Sequence, residues 1–233
     1  MVIRVRAEWL CIAALLSLGA CQEAESPAMQ ALDEAQVDGE KVAPGSSAAE
    51  DCLLFIWEAR EAAGDFGGDD ERTYDRDHDE AEGGAISCAT ATSASQFEKT
   101  LKALRDAATS GDRAATLAEA GIPLLFITED GTTRELTEAK ALEEAFEEVF
   151  TERTLERMRS LALEEMTVIP DKGAFFDLGA LWLVVPETGA RPKLVTVNSQ
   201  AAAEAAAIAA KAKAEAEAQE ASGTGNEGAA RQD

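Results

Sequence analysis

The side chains of this 233-residue chain whose types could do chemistry are four cysteines, a single histidine, and a few carboxylates in suggestive settings. Asp177 lies within Phe175-Phe176-Asp177-Leu178, where loss of solvent would raise its pKa and suit it to act as a general base. The alternative is a position on the solvent face of the strand or at a bulge. Phe175, Phe176 and Trp182 could line a pocket around it or simply fill a core. Asp75, Asp77 and Asp79 alternate as in a calcium loop. Glu80 stands where an EF-hand needs a turn glycine, however, and Ile86 where it needs its twelfth-position carboxylate, so this is not an EF-hand. His78 is the only imidazole and cannot build a zinc site with two distant thiols. The sequence carries no phosphate-cradling glycine loop, serine-nucleophile motif or metal-ligand cluster, and no cofactor is expected.

Cys21 has a different chemistry. It directly follows Leu18-Gly19-Ala20 at the end of a short apolar run from Leu10, preceded by Arg4 and Arg6. A basic start, an apolar stretch shorter than the roughly 20 residues of a membrane span, and small residues before a cut make a signal peptide. The cysteine at the cut resembles the site at which bacterial lipoprotein precursors are diacylated and cleaved, so residues 1–20 are expected to leave and Cys21 to become the lipid-bearing first residue. By the same resemblance, Gln22 favours sorting to the outer membrane. Cys11 departs with the signal, and Cys52 and Cys88 are then left in an oxidising periplasm, where they are expected to pair. Closing a loop of about 37 residues restrains the unfolded chain by roughly 4 kcal/mol in the entropic model.

The formal charge of −24 excludes nucleic acid as a partner, because phosphate backbones require a basic surface. It also keeps the body off anionic lipid headgroups, leaving the acyl chains on Cys21 to hold it at the membrane.

The elements follow from composition and period. Residues 21–50 are rich in Ala, Glu, Gln, Ser, Pro and Gly and read as a flexible tether. Residues 51–94 form an acidic, disulfide-closed segment: the buried run Leu53-Leu54-Phe55-Ile56-Trp57, a long solvated acidic loop, and a short strand at Ala85-Ile86-Ser87-Cys88. Ser95-Gln96-Phe97-Glu98 reads as a capping box, followed by Phe97, Leu101, Leu104 and Ala108 at helical spacing up to Gly111. Asp112 caps a second helix. Ile122 to Thr128 is a strand, Asp130-Gly131 a hairpin turn, and Thr132 to Leu136 its partner. Thr137 caps a third helix bearing Leu142, Phe146 and Val149. Strands then follow at Met166–Ile169, Ala174–Val185 and Lys193–Val197, with connections short enough to imply antiparallel neighbours. Residues 199–233 collapse to Ala, Glu and Lys and read as an exposed helical tail with no face to bury.

From Phe97 to Asn198 the order of these pieces resembles the nuclear transport factor 2-like (SnoaL-like) superfamily. The matching pieces are Phe97 to Gly111-Asp112, Ile122-Pro123-Leu124, the helix ending Val149-Phe150-Thr151, Gly173-x8-Trp182 with Gly179, and Val195-Thr196-Val197-Asn198. Asp177 stands where related sequences often carry Gly. The resemblance implies an α+β fold in residues 95–198, with helices packed on a strongly curved, cone-like antiparallel sheet that often leaves a pocket at its open end. It also implies dimerisation through the outer sheet face. Many members use an acid–base pair in the pocket and many have no known catalysis.

With His78 outside the matched region, no His-Asp relay can be assembled. The sequence therefore favours a membrane-anchored periplasmic lipoprotein with a non-catalytic domain that binds a periplasmic protein or a small apolar ligand. The alternatives are a cofactor-independent enzyme using Asp177 on a small apolar molecule, and an acidic inhibitor or scaffold for a cationic periplasmic protein that works through Asp65 to Glu82.

Overall fold

A computed structural model describes residues 41–65 and 67–223. Cys21, where lipid attachment is expected, and residues 1–20, expected to be a signal peptide, lie outside the described residues. The last residues of the expected tether are part of the folded body, for Ala85 N donates to Val42 O at 2.9 Å and helix α1 spans Ser47–Ala62. Its N-cap is Ser46, whose Oγ accepts from Ala49 N at 3.2 Å. Leu53, Ile56, Trp57 and Arg60 recur on one buried face of α1. Leu54 and Phe55 point the other way and are exposed, so the apolar run is not buried as a block. A run of five apolar residues covers every direction around a helix, and only one side of this one meets the body.

The acidic stretch is not a solvated loop. It contains helix α2, Asp69–His78, with three carboxylates in its first turn where the helix dipole favours them. The expected strand at Cys88 is instead helix α3, Ile86–Thr90, and the Cys52–Cys88 disulfide joins two helices across a Cα–Cα distance of 5.3 Å. Ile86 and Ala89 enter the main core, so this segment is part of the same domain.

Helix α4, Ala94–Ser110, buries Phe97, Leu101, Leu104 and Ala108 at the expected spacing and ends on Gly111 in the left-handed conformation, φ 66°. The capping box does not form. The helix starts two residues early, with Ser93 in the cap position, while Ser95 Oγ donates to Glu71 and Glu98 pairs with Arg105, so both side chains are engaged away from the helix start. Asp112 does cap helix α5, Arg113–Glu119, accepting from Ala115 N at 3.0 Å. Strands β1, Ala120–Ile127, and β2, Thr133–Leu136, form the hairpin around Asp130-Gly131. Helices α6, Ala139–Glu144, α7, Phe146–Val149, and α8, Glu152–Arg159, follow, with Glu138 in place of Thr137 as the first cap. A 3-10 turn at Leu163–Glu165 leads to β3, Thr167–Ile169, and β4, Gly173–Phe176. A second 3-10 turn at Asp177–Gly179 precedes β5, Leu181–Val184; β6, Lys193–Asn198, and helix α9, Ser199–Gly223, complete the described chain.

The six strands form one mixed sheet in the order β2-β1-β6-β5-β4-β3. It is not wholly antiparallel, because β1 and β6 run parallel, with Phe126 opposite Val197. The stretch between them is long enough to supply the crossover that a parallel pair requires. The ladder shifts register between Ala120 and Leu125 on β1 and between Trp182 and Leu183 on β5. Helices pack on one face, where Phe97, Leu101 and Leu104 of α4 meet Phe126, Phe176, Leu183 and Val197 with Phe146, Phe150 and Met158. Among the described residues no helix is long and apolar enough to cross a membrane.

The tail has a short face to bury after all. Asn198 Oδ1 accepts from Ala201 N at 3.0 Å, Ala201 is fully buried against Ala180, and Ala202 packs beside them. Farther along α9, Ile208 is exposed.

Candidate functional site

Asp177 sits where the chain turns from β4 into β5. It and Leu178 take positive φ values of 50° and 57°, ahead of Gly179 at 88°. Asp tolerates this left-handed region better than Leu, for which it costs on the order of 1 kcal/mol. The turn faces α8, and Arg157 Nε donates directly to Asp177 Oδ2. The same guanidinium reaches Glu165 Oε2 at 2.9 Å and Ser160 Oγ at 3.0 Å, and lies 5.8 Å from the Phe176 ring. Asp177 is thus half-buried against a cation, on the rim of a groove of about 510 Å³ between α8 and the alanines 202, 205, 206 and 209 of α9. This setting fixes the carboxylate against a cation at the groove rim, which differs from the apolar pocket expected around a general base.

The three aromatic candidates do not share a site. Phe176 is fully buried in the core beside Ala174, Leu181 and Leu183. Phe175 and Trp182 are cross-strand partners whose side chains alternate to the opposite face, with ring centroids 5.0 Å apart. Trp182 shields Phe175 and is itself half-buried. On the same face Ile169 and Val184 are also half-buried, giving an apolar row across β3, β4 and β5 with the helices on the far side.

A polar constellation that the sequence did not announce lies beneath α2. Arg60, 4% exposed on the inner face of α1, reaches Glu71 at 2.7 Å and Asp65 at 3.3 Å. Ser95 Oγ at 2.7 Å and Lys99 Nζ at 3.0 Å converge on the same Glu71 oxygen. Burial pushes the Glu71 carboxyl up, but the hydrogen bonds from Arg60, Ser95 and Lys99 outweigh it and hold the group at about 2. One turn farther on, Asp75 and Asp79 are buried while Asp77 faces solvent. The alternating carboxylates therefore diverge. Among the described residues no group of three or more His, Cys, Asp or Glu side chains could hold a metal ion. Burial pushes Asp79 up to about 6 against hydrogen bonds from Ser87, with the charges of Asp75 and Glu50 adding to the rise. His78 stacks on Tyr74 at 4.0 Å and its Nδ1 lies 2.9 Å from Tyr74 O.

The only sequence signal for this cluster was spacing. Arg60 continues the buried i, i+3, i+4, i+7 series of α1, and Asp75 and Asp79 are one helical turn apart. In a stretch so rich in Asp and Glu, that spacing does not stand out.

Fold and site together define an α+β protein with helices on one face of a six-stranded mixed sheet and an apolar row on the other. Comparison with protein-family models, with curated proteins and with solved structures found nothing that matches this chain.

Proposed function

We propose that this chain is a lipoprotein of the bacterial cell envelope, held on the periplasmic side of the outer membrane by acyl chains on Cys21. Its globular body acts as a non-catalytic binding domain for a periplasmic protein or a small apolar ligand. The anchor rests on the sequence alone: the basic start, the short apolar run, and Leu18-Gly19-Ala20 before Cys21. The nuclear transport factor 2-like resemblance belongs to the same reading, with the sheet curved into a cone around α4; helices gathered on one sheet face support it.

The observation that carries the binding role is the Phe175–Trp182 stack on the sheet face away from the helices. Trp182, half-buried over Phe175 and beside half-buried Ile169 and Val184, forms with them a surface that gains from being covered. Asp177, tied to Arg157 and Glu165 through one guanidinium, fits an architectural role better than proton abstraction.

Native mass spectrometry of the mature protein, gently extracted from its own membrane, tests both parts. The expected species carries the acyl mass on Cys21 and a bound chain or small molecule that is lost in Trp182→Ser. An unacylated Cys21 overturns the anchor, and retention of the same occupant by a folded Trp182→Ser protein overturns the sheet-face site.

A further inference from the structure

Two buried carboxylates on one face hold α2 to the body. Asp75, fully buried, accepts from Trp57 Nε1 on Oδ2 and from Ser95 N on Oδ1, each at 2.8 Å. Asp79, 4% exposed, accepts from Ser87 N at 2.7 Å and from Ser87 Oγ at 2.6 Å, one on each oxygen. These four contacts reach α1, α3 and the first turn of α4. Every donor is neutral.

Charged groups flank the pair. From α1 comes Glu50, occupied by Arg76 at 2.8 Å. Arg76 and Arg72 lie over the Trp57 ring at 4.7 and 5.2 Å. Helix α2 itself adds exposed Asp77 and the Tyr74-stacked His78, and the following turn adds Glu80 and Glu82. Helix α3 has no charged residue, and in the start of α4 Lys99 is paired with Glu71.

We propose that Asp79, with Asp75 beside it, is a proton-binding site that sets how firmly α2 and α3 are held: the segment is locked when the proton is present and loosened when it leaves. Protonated Asp79 keeps both contacts, one oxygen accepting from Ser87 N while the new O–H donates to Ser87 Oγ, whose own hydroxyl turns away. Ionised Asp79 also keeps both, but it buries a negative charge met only by neutral hydrogen-bond donors, one turn from Asp75. The two states therefore share a fold and differ in energy. Burial, with the charges of Asp75 and Glu50, carries the group from 3.8 to about 6, so the native state retains a proton that the unfolded chain has already lost. Stability from this site is complete below the ordinary carboxylate range and declines as pH rises through about 6.

The test is a carbon-13 NMR titration of the Asp79 carboxyl in the mature chain, combined with amide exchange across residues 69–90. The expected midpoint is near 6. Protection factors for these amides should fall about tenfold between pH ~5 and ~7.5, beyond the intrinsic change in exchange chemistry. In Asp79→Asn the amide offers its oxygen to Ser87 N and its NH2 to Ser87 Oγ, and the tenfold change should vanish. A midpoint in the ordinary carboxylate range, or a fall in protection that persists in Asp79→Asn, overturns the proposal. If the variant does not fold, the carbon titration of the unmodified chain still decides.

Discussion

Arg157 and Asp177, twenty residues apart, meet where α8 crosses the β4–β5 turn, and the same guanidinium also reaches Glu165 at 2.9 Å. One cation thus ties a helix, a 3-10 turn and a left-handed backbone kink together. The Arg157 side chain is 21% exposed, so solvent screens the pair only in part. Arg157→Ala should cost about 1 kcal/mol and lower the melting temperature by roughly 2–4 °C. Asp177→Asn, which keeps one acceptor for the guanidinium, should cost less. Thermal unfolding followed by circular dichroism reads both, and an Asn variant worse than the Ala variant would mean that the Asp177 carboxylate stabilises the turn through something other than Arg157.

The Cys52–Cys88 bond anchors α1 to α3 and closes a sequence separation of 36 residues. Its removal in a Cys52→Ser, Cys88→Ser double variant should cost about 2–4 kcal/mol. The loss should appear first in α1, whose outer face carries Leu54 and Phe55 exposed to solvent. Amide exchange is the appropriate measurement: residues 47–62 should lose protection before α4 and the sheet do. Uniform loss across the domain would show that α1 is no less firmly packed than the core.

How much of this was legible depended on whether a residue's partner was local. Phe97, Leu101 and Leu104 announce α4 because a helix repeats its buried face every third or fourth residue, and Asp112 announces α5 because a cap bonds its own chain three residues on. The disulfide followed from counting thiols. The parallel β1–β6 pair was not legible, since it joins Phe126 to Val197 across most of the domain and leaves no local trace. Ser95 and Glu98 have the spacing of a capping box, yet Glu71 and Arg105 claim them, and both partners come from outside that local pattern. Helix α2 was obscured by its own composition. Its solvated carboxylates mask Glu71, Asp75 and Asp79, which become distinct only once Arg60, Trp57 and Ser87 come to meet them.

Glu71 and Asp79 should act on stability in opposite senses. Glu71 has its carboxyl lowered from 4.5 to about 2, so the stability it contributes is present above its ordinary value and lost as pH falls toward 2. That loss is roughly 2–3 kcal/mol. In Glu71→Gln the steep acid limb of a stability–pH curve should flatten, with stability at neutral pH reduced because Arg60 loses a charged partner. Urea unfolding midpoints taken between pH ~2 and ~7 read this directly. An acid limb unchanged in Glu71→Gln would assign acid sensitivity to other carboxylates.

Two glycines make room for β5, and they do so in ways that predict different costs. At Gly173, φ 114°, an added Cβ would come within 2.4 Å of Leu183 O, a backbone atom fixed in the β4–β5 ladder. At Gly179, φ 88°, it would meet Trp182 Nε1 at 2.9 Å, part of an indole that can swing outward on the open sheet face. Both substitutions to Ala force a left-handed residue, costing on the order of 1 kcal/mol each. Gly173→Ala must also displace a strand and should cost about 3 kcal/mol or more in all. Gly179→Ala should stay near 1–2 kcal/mol while changing Trp182 fluorescence, because the ring has somewhere to go. Equal destabilisation by the two variants would mean that Trp182 is held as rigidly as the ladder itself, and the sheet face would then be a closed surface with no capacity to rearrange around an occupant.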